Sequence, residues 1–338
     1  MKAITIGDLH LDGLAKYFPS NHLELQFAEI RKPLNYAISH GIRHVFFLGD
    51  IGENTELSYA AISAFIKFLS EYQDKFVFHF LLGNHDFAEN GVHCMTPFVT
   101  MVNCGLLKNV HIYEKKTKLK IQGAKFNLCP YPYSQGEDEH VNMGHFSTPG
   151  ATLDNGYKEK EGTKIRKRHK WVLGHLHTPH GNFNGTLYQL GFPERLPKGF
   201  GVITASNKSG RLKFKREFIQ TDPAFKLINL AIESKSDLKQ IEKNPLYLYR
   251  LVVKSSFELP DNLMTKYPNI FKIVGVKNKK DFEAIIADEN KVSLIDDNGE
   301  LPSEKKLLKL TFKKKGLSKT QYSRGLELVS KAKESLKC

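Results

Sequence analysis

The chain contains no apolar run of the roughly 18 residues needed to cross a bilayer, and its mean hydropathy is −0.37. Cysteine is scarce, four in 338 residues. Cys94, Cys104, Cys129 and Cys338 show no C-x-x-C spacing, which excludes a disulfide-stapled scaffold and a thiolate zinc site. They read as reduced thiols with no special role. The opening residues, MKAITIGDLHL, lack an apolar targeting core and a small-residue cleavage site, so a cytoplasmic protein with no membrane partner is expected. Internal repeats and low-complexity linkers are also missing, and apolar and charged fractions of 41% and 25% exclude wholesale disorder.

Acidic residues are the minority: 36 Asp and Glu face 50 Lys and Arg, a net charge of +14. The excess is uneven, net +3 over residues 1–205 and net +11 over 206–338. A field of that sign draws polyanions to the surface.

Residues 1–205 alternate strand-like apolar runs with amphipathic helical ones. Runs at 2–6, 43–48 and 76–82 each end in Gly plus a polar residue, and helices are expected over 22–40 and 57–72. In such layered α/β sheets the ligand site lies beyond the carboxyl ends of the strands. After Asn84 shorter strands are expected at 110–113, 119–122, 125–129, 171–173, 186–190, 200–204 and 212–218, separated by Gly, Pro and Asn as in antiparallel sheet. A Thr-Asp-Pro turn at 221–223 marks a boundary. Strands at 224–232, 246–254 and 270–276, with helices near 236–243 and 259–266, describe a small α+β module. The expected division is 1–222, 223–301 and a basic tail, 302–338.

Five segments carry the chemistry: GDLH (7–10), GD (49–50), GNHD (83–86), GH (144–145) and GHLH (174–177). Glycine lets the backbone turn sharply beyond a strand so that the next short side chain faces inward. Together they supply Asp8, His10, Asp50, Asn84, His145, His175 and His177. Carboxylate, imidazole and amide oxygen suit borderline divalent ions rather than calcium or structural zinc. Seven ligands suffice for two ions sharing one carboxylate, an arrangement that clamps a phosphoryl centre. His22, His40, His44 and His111 read as ordinary imidazoles.

The order GD-x-H, GD, GNHD, GH and GH-x-H resembles the calcineurin-like metallophosphoesterase superfamily. That resemblance implies a four-layer αββα sandwich followed by a small α+β capping module. It implies that Asp8, His10, Asp50 and His177 hold one ion and that Asp50, Asn84, His145 and His175 hold the other, Mn²⁺ first, with Fe²⁺, Mg²⁺ and Zn²⁺ as alternatives. It makes His85 the catalytic histidine and Asp86 the group that orients its ring. Within the superfamily the chain is similar to the nuclease subunit of SbcCD-type repair complexes, through NVHIYEKKTKLKIQGAKFNLCPY (109–131), YQLGFPERLPKGFGVI (188–203) and the placement of the α+β module. Some members carry a second catalytic histidine three residues after the shared Asp; here that residue is Glu53. GDIGEN lacks the GD-x-x-DRG continuation of protein Ser/Thr phosphatases.

The resemblance implies a two-metal DNA nuclease, exo- or endonucleolytic, acting in repair or recombination with an SbcC-type coiled-coil ATPase, with a homodimer left open. Lys164, Arg166, Lys167, Arg168 and Lys170, in a segment with seven basic and two acidic residues over 158–170, are candidate DNA contacts. Lys277, Lys279, Lys280 and the 305–315 run are further ones. Leu317, Tyr322, Leu326, Val329 and Leu336 form a stripe suited to a partner's groove. Two other readings remain: a phosphodiesterase or phosphatase on a small substrate, against which the +11 charge of 206–338 counts, and a DNA-binding scaffold with a weak site, against which the full ligand set counts.

Overall fold

In Lys2–Ile6 (β1), His44–Leu48 (β2) and Val77–Leu81 (β3) every residue after the first is buried. That is what strands covered on both faces require. They pair in parallel with one another and with Val110–Tyr113 (β4). The structure, a computed structural model, describes residues 1–276 apart from 88–91, 155–157, 195–196, 209 and 255–256. The expected tail contacts, Lys277, Lys279, Lys280, the 305–315 run and the 317–336 stripe, lie outside the described residues.

Two more elements follow β4 as a hairpin, Thr117–Ile121 (β5) and Ala124–Cys129 (β6). Val141–Gly144 (β7) and Lys170–Leu173 (β8) extend β6 in parallel, giving a sheet of order β5-β6-β7-β8. Lys198–Lys208 (β9) and Arg211–Thr221 (β10) complete the larger sheet, of order β10-β9-β1-β2-β3-β4.

Side-chain alternation along β2 shows why the sheets stack. Val45 and Phe47 enter a core with Phe27, Phe65, Phe68 and Phe98 from helices α1 (His22–Ser39), α2 (Tyr59–Ser70) and α3 (Thr96–Asn103). Phe46 and Leu48 enter a second core with Phe126, Leu128, Met143 and Val172 of the smaller sheet. The result is the expected α/β sandwich. Over the smaller sheet's outer face, Trp171 and Leu173 are covered by Ala151, Leu176 and Phe183 from loops, so among the described residues that outermost layer is not helical.

The strand runs after Asn84 are more parallel than the Gly and Pro spacing predicts, because β6, β7 and β8 are joined by long crossovers. Residues 186–190 are not a strand but a buried loop. Its polar side chains take bonds a strand would leave to the backbone: Tyr188 donates to the Leu9 carbonyl at 2.5 Å and Thr186 to the Tyr188 carbonyl at 2.7 Å.

Lys226–Ile232 (β11), Tyr247–Lys254 (β12) and Ile270–Val276 (β13) form a separate parallel sheet with its own core of Tyr249, Leu251, Val253, Leu263 and Ile270. Asp237–Gln240 is a single 3₁₀ turn, and Leu263–Lys266 (α4) is shorter than expected. The module is tied to the sandwich through the 188–194 loop: Gln189 exchanges two bonds of 3.1 Å with the Leu227 backbone, and Asn229 donates to the Phe192 carbonyl at 2.7 Å.

Candidate metal centre

Beyond the carboxyl ends of β1, β2, β3, β7 and β8 lie the five glycine segments, and their side chains converge. Asp8, His10 and His177 offer ligand atoms within 4.8 Å of one another, and so do Asp50, His145 and His175. Asp50 touches both groups: its Oδ2 is 3.1 Å from His145 Nε2 and 3.6 Å from His10 Nε2. Asn84 Oδ1 is 3.0 Å from His145 Nε2 and 3.0 Å from His175 Nδ1. All seven predicted ligand residues are thus brought together, around a shared carboxylate.

Close approach explains the glycines. A Cβ on Gly83 would sit 2.1 Å from Asp50 Oδ1, and one on Gly49 2.2 Å from His145 Nδ1. His10, Asp50 and His175 themselves adopt left-handed backbone, with φ of 45°, 47° and 81°. Such conformations persist only where the surroundings hold them. The loops after β1 and β2 zip together, His10 and Leu9 both donating to the Asp50 carbonyl at 2.9 Å. From α1 the buried Gln26 amide reaches the His10 carbonyl at 3.0 Å.

Electrostatics divide the imidazoles. Burial would raise the Asp50 carboxyl, but His145, His10 and His85 outweigh it and hold it far below the usual range. Burial pulls His145 down, yet Asp50 and Asp8 push it up to about 9. His175 is lowered by burial and by the neighbouring His145. Asp8 Oδ2 and His10 Nε2 are buried with no hydrogen-bond partner. An orphaned carboxylate oxygen beside an orphaned imidazole nitrogen is costly unless a cation meets both, so the donor set fits a pair of divalent ions.

Sequence reasoning missed the residues that brace this set. His177 Nδ1 lies 2.8 Å from Glu194 Oε1 and 3.3 Å from Asp154 Oδ2, which leaves Nε2 for the Asp8–His10 group. Lys198, fully buried, holds Glu194 at 2.5 Å and donates to the His177 carbonyl at 3.0 Å. An outer carboxylate of this kind fixes the tautomer and orientation of a ligating imidazole. The one sequence signal was the Glu194/Lys198 spacing of four inside the aromatic 188–203 segment. Glu53 is a second brace: its Oε2 is 3.0 Å from His10 Nδ1, and its carbonyl accepts a hydrogen bond from His85 Nδ1 at 3.1 Å.

Asp86 does not orient His85. Its carboxylate faces away, accepting from the backbone of Gly83 at 2.7 Å, Ile51 at 2.8 Å and Gly52 at 3.0 Å, and from the Cys94 thiol at 3.2 Å. These donors were unfilled by secondary structure, and they outcompete a ring on the solvent side. Cys94 therefore has a structural part that its scarcity gave no hint of. His85 stands at the surface beside a cleft of about 280 Å³ lined by Glu53, Asn54, Thr55, Asn84 and Phe87, and its ring packs edge-on at 4.9 Å from His10. Lys164, Arg166, Lys167, Arg168 and Lys170 are exposed on the approach to β8. Arg168 pairs with Asp138 at 2.8 Å; among the described residues no hydrogen bond or ion pair joins the five to the ligand groups.

No helix among the described residues is long and apolar enough to cross a membrane. No curated protein matches the chain. The model of the calcineurin-like phosphoesterase family matches residues 1–196, the span that holds β1 to β8, all seven converging ligands and both Asp154 and Glu194. With a domain that carries candidate ligands for divalent ions and hydrolyses phosphoesters, the chain belongs to the calcineurin-like phosphoesterase family.

Proposed function

We propose that the protein is a two-metal DNA nuclease that hydrolyses phosphodiesters, with Mn²⁺ as its working ion. The observation that carries the two-metal reading is Asp50, whose single carboxylate lies within 3.6 Å of imidazoles from both ligand groups. Asp8, His10, Asp50 and His177 would hold one ion and Asp50, Asn84, His145 and His175 the other. When bound, the ions supply Lewis-acid stabilisation of the phosphoryl oxygens and lower the pKa of water.

The chain's own residues do the rest. Glu194 and Glu53 hold the outer nitrogens of His177 and His10, so their inner nitrogens point at the shared centre. The Glu53 carbonyl holds His85 by its Nδ1–H, leaving Nε2 to face the cleft. When protonated there, His85 gives the Nε2 proton to the departing oxygen and keeps the other N–H on Glu53. The DNA part rests on charge: a basic chain that concentrates polyanions, with a seven-to-two basic segment leading into β8. An SbcC-type ATPase as partner, a homodimer and a DNA-capping part for the module after residue 222 belong to the same reading.

The test is to incubate the purified chain with Mn²⁺ and end-labelled duplex or single-stranded DNA, beside bis-p-nitrophenyl phosphate, with Asp50→Ala as control. Metal-dependent DNA cleavage that falls steeply with salt is expected. Hydrolysis of the small diester without DNA cleavage at any salt would replace the nuclease reading with that of a small-molecule phosphodiesterase.

A further inference from the structure

The inward face of α1 carries Phe27, Ile30, Leu34 and Ala37 and, beside them, the fully buried amide of Gln26. Its nitrogen donates to the Leu9 carbonyl at 3.2 Å, the His10 carbonyl at 3.0 Å and the Tyr188 hydroxyl at 3.0 Å. Carbonyls only accept, which fixes the nitrogen rather than the oxygen on that side. The other end, Oε1, is buried with no hydrogen-bond partner, and an unmet buried acceptor lowers stability. None of the three acceptors depends on this amide. The Gly13 N–H also donates to the His10 carbonyl, at 2.8 Å. The Tyr188 hydroxyl donates to the Leu9 carbonyl at 2.5 Å and is engaged by doing so. Hydrogen-bond satisfaction therefore does not explain Gln26, and an unbranched apolar side chain of the same length would suit this core better.

What the amide does reach is the backbone of the turn that presents His10. That residue stands at φ 45°, a left-handed conformation that a non-glycine residue keeps only where its surroundings hold it. One of its ring nitrogens lies within 4.8 Å of ligand atoms of Asp8 and His177. We propose that Gln26, backed by Tyr188, is a positioning residue for the metal centre. The two side chains clamp the Leu9 and His10 carbonyls from the α1 side and so hold the His10 imidazole toward Asp8 and His177. This inference rests on the two-metal reading. Glu53 acts on the outer nitrogen of the ring, whereas Gln26 acts on the backbone that carries the ring, so the two restraints are separate. A polar group kept in a core against the stability of that core is what a functional site leaves behind.

The experiment compares the full chain with Gln26→Met and with Tyr188→Phe. Melting in EDTA reads the fold, calorimetry with Mn²⁺ reads the affinity for each ion, and electron paramagnetic resonance separates a spin-coupled pair of ions from single ones. Gln26→Met should melt without metal at or above the wild-type temperature. It should nevertheless bind one of the two ions at least about tenfold more weakly, as loss of an outer support does, and show single ions at concentrations where the wild type holds a pair. Tyr188→Phe keeps the ring and loses the hydroxyl, and should weaken the same ion by a smaller factor. A Gln26→Met chain that binds both ions as the wild type does overturns the proposal. So does one whose metal-free melting temperature falls together with both affinities, which is the behaviour of a packing residue. A wild-type chain that binds no pair defeats the two-metal reading and this one with it; a wild-type pair with an unaltered variant defeats this one alone.

Discussion

His44, His79 and His111 lie side by side on β2, β3 and β4 and face the layer between the sheets, whereas His10, His145, His175 and His177 gather beyond the carboxyl ends of the strands. The first set is built of aromatic contacts. His79 stacks on Phe46 at 4.3 Å and on His111 at 5.4 Å, and bonds His44 at 3.1 Å and the Tyr113 hydroxyl at 2.9 Å. With no carboxylate beside it, burial and the neighbouring His44 and His111 push it down to about 3. In the second set Asp8, Asp50 and Glu194 stand against the rings, and His177, pulled down by burial, is driven up to about 10 by Glu194 and Asp154. Among the described residues the three imidazoles on adjacent strands form no candidate metal group; neighbouring carboxylates, Asp50 on its left-handed turn among them, make the difference.

The comparison is broken most severely by removing the shared acid. Asp50→Ala should lower turnover by at least about 10³-fold and reduce the bound Mn²⁺, counted by calorimetry, from two per chain to one or none. His79→Phe, in the other set, should leave that stoichiometry at two.

Next in size is His85→Asn, which should cost roughly 10²–10⁴-fold in kcat with the two ions retained. Loss of an ion together with activity would move His85 from proton donor to ligand.

Glu194→Gln sharpens the contrast from outside the ligand set. It keeps the shape and removes the charge, and should weaken metal affinity by about 10–100-fold. Unchanged affinity would make Glu194 a packing residue.

Smallest is a pH effect. His79 has a folded pKa of about 3 against 6.5 for the free side chain, so from about pH 6.5 down to about pH 3 the unfolded chain takes up a proton that the folded chain refuses. Stability from this residue is present above pH 6.5 and lost as pH falls, by an amount on the order of a few kcal/mol. The melting temperature of the protein should drop toward that of His79→Phe between pH 8 and pH 4, and parallel curves would show that the stack carries no such linkage.

The site was more legible than the fold because its constraint is local. Each pair of Gly and a following Asp, Asn or His records a missing Cβ, as at Gly83 against Asp50, and that reads directly from adjacent letters. β7 was missed because its buried Asn142 looks like a turn residue; in the fold it accepts from the Asn127 amide at 2.8 Å and the Glu137 backbone at 2.7 Å. α3 begins with Thr-Pro in a segment too short to show periodicity. Glu194 was invisible as a partner of His177 because the two are 17 residues apart and meet only in the fold. Asp86 misled for the opposite reason: the resemblance implied a contact with the His85 ring, but the backbone amides of three other residues claim the carboxylate.

The Asp86 carboxylate gathers donors from the ends of two neighbouring strands and from the start of α3's approach, so the turns bearing Asp50 and Asn84 are clasped by one side chain that never meets solvent. A designer who wished to transplant this centre into another scaffold would have to move Asp86 and Cys94 with the seven ligands. Copying the ligands alone would carry over the letters and leave behind the latch.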